Sequence, residues 1–268
     1  MIKLIASDMD GTLLNDRKEL PGDFFEVFDE LERREIKFTV ASGRSFDAVA
    51  HLFPEEYRTR LDFICDNGAN VIHEGKQVSV TPLDRPTFEQ LIRACEDIGG
   101  LRILVCAGRG TYHLTADAEF SAEIAKYYKN HIPCDDLLSV DDVIYKLAVC
   151  DMKGTQQHAK PAIDAIFGDR LNVQVSGPIW MDVMGAGVSK GSALRALGKH
   201  LGISADDTMA FGDFYNDADM LQYAGWSFAM ENGNPDIKRM TRFLARSNNE
   251  NGVLRAIRQY ALQEDSIK

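Results

Sequence analysis

The amino-acid sequence predicts an α/β fold: a doubly wound parallel-sheet core interrupted by an inserted α+β domain. Three observations predict it. Short apolar runs alternate with helix-length amphipathic segments near both ends of the 268-residue chain, the pattern of βαβ units with right-handed crossovers. Several of those runs end in polar, glycine-containing clusters, and open α/β sheets bind ligands at the carboxyl ends of their strands. Between residues 82 and 184 the acid-rich strand ends disappear and hairpin-like runs mix with helices.

The first run, residues 2–7, has the length and composition of a buried strand and delivers Asp8 and Asp10 followed by Gly11. Strand alternation would aim both carboxylates the same way, an arrangement that needs a cation or a shared proton to offset repulsion. Residues 21–35 read as an amphipathic helix with Phe24, Phe28 and Leu31 on one stripe. Residues 36–41 form a second strand ending in Ser42-Gly43-Arg44, and Ser45 caps a helix that Pro54 closes. A third strand over 63–65 ends in Asp66-Asn67-Gly68-Ala69, and 71–80 read as a hairpin around Glu74-Gly75.

In the inserted domain, helices are expected over 88–98, 118–130 and 156–167. Strands are expected over 101–106, 111–115 and 144–151, with a closing hairpin, 173–176 and 179–183, around Gly177-Pro178. The doubly wound pattern then resumes. Ser189 caps a helix to about residue 200, and a strand over 208–211 ends in Gly212-Asp213-Phe214-Tyr215-Asn216-Asp217. A helix over 218–223, a strand over 227–230 and helices from Pro235 and Gly252 follow. The expected division is 1–81 with 185–268 as core and 82–184 as insertion.

A net charge of −11 with no basic run argues against nucleic acid or an anionic membrane as partner. No apolar run approaches a membrane span, and acids within the first ten residues argue against a secretory leader. Five scattered cysteines without a Cys-x-x-Cys pair fit reduced thiols, so a cytoplasmic protein is expected. The six histidines show no metal-ligand spacing.

If the strands lie side by side, Asp8/Asp10, Ser42-Gly43-Arg44, Lys190 and Asp213 with Asn216/Asp217 converge. That set supplies a carboxylate nucleophile, a second carboxylate for proton transfer, oxygen ligands for Mg2+, and an ammonium, a hydroxyl and N–H groups for phosphoryl oxygens. A partial Ca2+ loop is a poor alternative, since Gly11 falls at the wrong place. A nucleotide loop around Gly185–Ser192 fails because Lys190 precedes Gly191. Lys190 sits at a helix N-terminus, where a cation opposes the macrodipole, so a functional reason is expected for it. Arg44 pairing with a nearby acid, and Asn216 and Asp217 merely capping the next helix, are the plainer readings of those residues.

Asp8-Met9-Asp10-Gly11-Thr12-Leu13-Leu14 resembles the first motif of the haloacid dehalogenase (HAD) phosphatase superfamily. Ser42-Gly43-Arg44, Gly187–Gly191 and Gly212–Asp217 resemble the second, third and fourth in order. The insertion resembles the α/β cap of the Cof-type branch, and the likeness covers essentially the whole chain. The resemblance implies a Rossmann-like core and Mg2+-dependent hydrolysis of a small phosphomonoester, a sugar phosphate or phosphorylated cofactor, through an aspartyl phosphate. It implies Asp8 as nucleophile and metal ligand, with Asp10 as general acid/base offering its carbonyl to the metal. Ser42 and the Gly43 N–H would hold phosphate, and Lys190 would steady the charge. Asp213 and Asp217 would serve as metal ligands, and Asn216 would contact phosphate or Lys190. Candidate substrate contacts are Arg44, Asn67, Arg109, Tyr112, His113, Trp180 and Asp182. Phe214-Tyr215 is bulkier than the family pattern. A monomer or homodimer is expected. The alternatives are a phosphomutase or phosphotransferase using the same aspartyl phosphate and, more distantly, a phospho-receiver domain.

Overall fold

The run Leu4–Asp8 (β1) is buried at every residue, as a strand with parallel neighbours on both sides must be. In the computed structural model, which describes residues 1–115, 120, 124, 128 and 130–263, it is a central strand of an eight-stranded sheet. On one side lie Lys37–Ala41 (β2), Asp62–Cys65 (β3), Asn70–His73 (β4) and Lys76–Val80 (β5), in that order. The expected helix over 118–130 lies, apart from residues 120, 124, 128 and 130, outside the described residues.

The chain folds as two compact units, residues 1–43, 52–79 and 189–268 forming one and residues 44–51 and 80–188 the other. In the second unit a six-stranded sheet uses Leu101–Ala107 (β6), Gly110–Leu114 (β7), His131–Cys134 (β8), Ile144–Asp151 (β9), Leu171–Val175 (β10) and Trp180–Gly185 (β11). Their order is β10-β11-β9-β6-β7-β8, antiparallel except where β7 meets β8. One face packs Leu147, Val149, Met181 and Val183 into a core with Leu91 and Ile163 from two helices, Arg85–Ile98 and Ala159–Phe167. The first of these starts earlier than its apolar stripe suggests. Asp84 accepts the Thr87 N–H (3.0 Å) and Pro86 fits the first turn. The other helix starts later than expected, where Asp151 Oδ2 accepts the Ala159 N–H at 3.1 Å.

The first unit completes its sheet with Thr208–Gly212 (β12), Trp226–Met230 (β13) and Phe243–Ala245 (β14) on the other side of β1. All pairings from β14 through β1 to β3 are parallel. Chain order therefore runs away from β1 in both directions, which makes the carboxyl end of β1 a topological switch point. Phe38 of β2 and Phe63 of β3 are buried with Phe24, Phe28 and Phe53, which pack against the sheet. Cys65, Cys95, Cys106 and Cys150 are buried, and Cys134 is half-buried. Among the described residues no helix is long and apolar enough to cross a membrane.

Candidate active site

The end of β1 is made rigid by its own backbone. The Leu13 N–H returns to the Asp8 carbonyl (3.2 Å) and the Leu14 N–H to Met9 (2.8 Å), closing the turn on Gly11 at φ 83°. A Cβ at Gly11 would lie 2.6 Å from Asp213 Oδ2, so only glycine lets the two segments approach. Thr12 uses that proximity, donating its hydroxyl to Asp213 Oδ1 at 3.1 Å.

Lys190 opens the helix Lys190–Leu201. Ser189 and Ser192 form a reciprocal capping box at 3.0 Å in each direction, which satisfies N–H groups that the Lys cannot. Its ammonium is fully buried and donates to Asp8 Oδ1 (2.6 Å) and Asp217 Oδ1 (2.7 Å). The other oxygen of Asp217 accepts the N–H groups of Asp213 (3.0 Å) and Phe214 (3.2 Å). A Cβ on Gly212 would lie 2.4 Å from that of Asp217, and one on Gly191 would lie 2.5 Å from the Asp219 carbonyl carbon. Asp219 in turn accepts from the Ser189 hydroxyl and from the Gly191 N–H (3.2 Å), pinning the start of the helix.

These charges do not balance. Burial raises the Asp8 pKa well above its ordinary value, Asp217 and Asp213 add repulsion, and Lys190 only partly opposes them. Burial, then Asp217, pushes Asp213 up to about 6. Burial alone would lower the Lys190 pKa, but Asp217 and Asp8 outweigh it and raise it. Asp8, Asp213 and Asp217 each offer an oxygen within 4.8 Å of the others. Three carboxylates facing one ammonium leave negative charge in a half-dry site. An all-oxygen donor set of that sign fits a small hard dication such as Mg2+.

Asp10 is not one of this triplet, although its charge reaches Asp213. β1 ends at Asp8, so strand alternation does not extend to Asp10, which lies in the turn and bridges to Leu14. Its carboxylate is 38% exposed and accepts from Lys18 Nζ at 2.8 Å. Ser42 is buried at the end of β2, its N–H bound to the Ile64 carbonyl (2.8 Å), and Gly43 follows it. Asn216 donates to Asn67 Oδ1 (3.3 Å) rather than pairing with Lys190. Tyr215 turns its hydroxyl onto Asp236 Oδ2 (2.7 Å) and packs edge-on against Phe214 (centroids 5.1 Å). Asn232 donates to the Gly11 carbonyl (2.7 Å), and the Asn234 N–H to that of Asp213 (2.8 Å), so the 231–234 loop braces both acidic turns. Asp219 escaped sequence reasoning, whereas Thr12 and Asn232 stand within the first motif and the 231–234 loop without a role of their own.

The remaining candidates belong to the second unit. Arg44 lies in its 44–51 segment. Arg109 (N–H 3.0 Å, Nε 3.2 Å) and Tyr112 (hydroxyl 3.0 Å) converge on Asp142 Oδ2. Asp182 pairs with buried Lys146 at 2.7 Å, Trp180 stacks on Phe120 at 5.9 Å, and His113 meets His131 at 3.1 Å.

The sequence matches the haloacid dehalogenase-like hydrolase family over residues 5–257. The 5-amino-6-(5-phospho-D-ribitylamino)uracil phosphatase YbjI of Escherichia coli is 31% identical over 258 residues, spanning 96% of this chain and 95% of that protein. HMP-PP phosphatase of Klebsiella pneumoniae is 28% identical over 239 residues, spanning 89% and 87%. Among solved structures, SMU.1108c of Streptococcus mutans superposes with a TM-score of 0.90 at 27% identity, covering 98% of this chain and 100% of that one.

Proposed function

Because the chain belongs to the haloacid dehalogenase-like hydrolases and is a phosphatase, we propose that it hydrolyses a small phosphorylated metabolite, a sugar phosphate or phosphorylated cofactor, with Asp8 as nucleophile. The observation that carries this reading is the fully buried Lys190 ammonium held between Asp8 and Asp217. A buried cation at a helix N-terminus is electrostatically unfavourable unless anions face it, and here the facing anion is the proposed nucleophile.

In this mechanism a carboxylate oxygen of Asp8 attacks phosphorus and the leaving oxygen departs with a proton from Asp10. Asp10, now ionised, takes a proton from water as that water attacks the phosphorus of the aspartyl phosphate, freeing Asp8 and orthophosphate. Lys190 offsets charge between Asp8 and the phosphoryl oxygens, while the Ser42 hydroxyl, the Gly43 N–H and Asn216 hold those oxygens. Asp8, Asp213, Asp217 and the Asp10 carbonyl would hold Mg2+. When bound, it neutralises phosphoryl and carboxylate charge and orients the phosphate. We assign catalysis to residues 1–81 and 185–268 and substrate choice to 82–184, with Arg44, Arg109, Tyr112, Trp180 and Asp182 as candidate contacts. The cytoplasm is the proposed location.

The test is a screen of sugar phosphates, phosphorylated vitamins and nucleotides with Mg2+, run beside Asp8→Asn. At least one phosphomonoester should turn over to orthophosphate, and the variant should lose several orders of magnitude while remaining folded. Unchanged turnover in the variant would remove Asp8 from the mechanism, and transfer to sugar instead of water would point to a phosphomutase.

A further inference from the structure

The turn after β3 holds the only run of three consecutive positive φ angles among the described residues: Asp66 at 51°, Asn67 at 53° and Gly68 at 105°. Asp66 and Asn67 are both fully buried. Left-handed backbone is rare for residues with a Cβ, and Asn and Asp tolerate it best. Two such residues in succession persist only where their surroundings over-determine them.

Those surroundings are the loops that handle phosphate in the mechanism above. The Asn67 N–H donates to the Ser42 carbonyl at 3.1 Å. Its side-chain oxygen accepts from Asn216 Nδ2 at 3.3 Å. A Cβ on Gly43 would lie 3.1 Å from Asn67 Oδ1 and 3.3 Å from its Nδ2, so the amide fills the space against that glycine. Gly68 presses on the start of the next loop, where a Cβ would lie 2.1 Å from the carbonyl oxygen of Ser189, the residue capping the Lys190 helix. One short turn therefore abuts the second motif, the third and the fourth.

We propose that Asn67 is a positioning residue for the phosphoryl site. Its side-chain amide holds Asn216 and packs against Gly43, while its backbone N–H holds the Ser42 carbonyl, at the spacing a bound phosphoryl group requires. The left-handed backbone is what aims the amide there. Asn67 acts through these neighbours, because its side-chain oxygen is engaged by Asn216 and its N–H by Ser42. The inference rests on the phosphatase reading and deepens it, naming what sets the phosphate-binding groups in register. Misplacement of such groups by an ångström costs about 100-fold in rate.

Two substitutions separate the side chain from the backbone. Asn67→Gly keeps the left-handed turn without a Cβ penalty and deletes the amide, whereas Asn67→Ala deletes the amide and strains the turn. The readouts are melting temperature, kcat and KM for para-nitrophenyl phosphate with Mg2+, and the inhibition constant of orthophosphate. N67G should melt a few degrees below the wild type, because the buried amide and its bond from Asn216 are lost. Its kcat should fall about 100-fold and orthophosphate should bind about tenfold more weakly. N67A should share the kinetic loss and melt lower. In the N67G background Asn216→Ala should add little, because the two side chains act as a unit. An N67G enzyme with kcat per folded molecule and orthophosphate inhibition matching an active wild type overturns the positioning role, whatever its melting temperature. A wild type without phosphomonoesterase activity overturns both this role and the reading beneath it.

Discussion

Replacing Lys190 by Met probes the electrostatic frame of the site with little change in packing. Met keeps most of the aliphatic stem and nearly the volume, so no large cavity is opened. What disappears is the ammonium 2.6 Å from Asp8 and 2.7 Å from Asp217. Removing one partner of a buried ion pair costs about 3–5 kcal/mol, because the remaining charge has no compensation. At about 2–4 °C per kcal/mol for a chain of this size, the metal-free variant should melt roughly 10 °C below the metal-free wild type at neutral pH. The deficit should shrink toward pH 5. Burial already raises the Asp8 pKa, losing Lys190 raises it further, and a protonated carboxyl no longer needs the cation. Thermal melts of both proteins in chelator, from pH 5 to pH 8, measure this directly. A deficit under about 2 °C at neutral pH, or one independent of pH, would refute the argument that Lys190 is the chief local counter-charge.

Asp213 gives a pH dependence of the opposite kind. Its folded pKa of about 6 exceeds the ordinary 3.8, so the fold penalises ionisation. In the metal-free protein this group by itself contributes a loss of about 3 kcal/mol as pH rises from about 4 to about 6, read as the difference in slope between wild type and variant. Asp213→Asn should lack that slope and should no longer be stabilised by Mg2+; identical pH profiles for the two proteins would contradict the assignment. Gly212→Ala places a methyl 2.4 Å from the Asp217 Cβ, and overpacking of this kind costs about 1–3 kcal/mol. Steady-state kinetics of the refolded variant should show kcat down at least about tenfold, since Asp217 cannot move without releasing Lys190.

The sequence carries the acidic strand tip plainly, because the spacing of Asp8, Asp10 and Gly11 is local and strand ends are punctuated by glycine. Lys190 was legible as an anomaly, a cation where the macrodipole disfavours one, and the structure answers it with two carboxylates, one at the end of β1 and one in the turn after β12. What could not be read depends on partners distant in the chain. Asp219 looks like an ordinary surface acid of its helix until the Ser189 hydroxyl and Gly191 N–H arrive from 28 to 30 residues away. Asp10 turns to Lys18 because β1 stops at Asp8, a detail below the resolution of strand alternation. The strand His131–Cys134 hides behind Pro133, which a sheet tolerates here because the strand lies at its edge. Phe243–Ala245 is too short to carry a period.

The central claim is that Asp8 becomes phosphorylated during turnover. Enzyme quenched in acid during steady-state hydrolysis with Mg2+, then reduced with borohydride, would convert an acyl phosphate to homoserine, which peptide mass spectrometry locates. The account predicts homoserine at position 8, dependent on substrate and absent when Mg2+ is chelated. Full turnover with position 8 unmodified, or the label at another carboxylate, would contradict it.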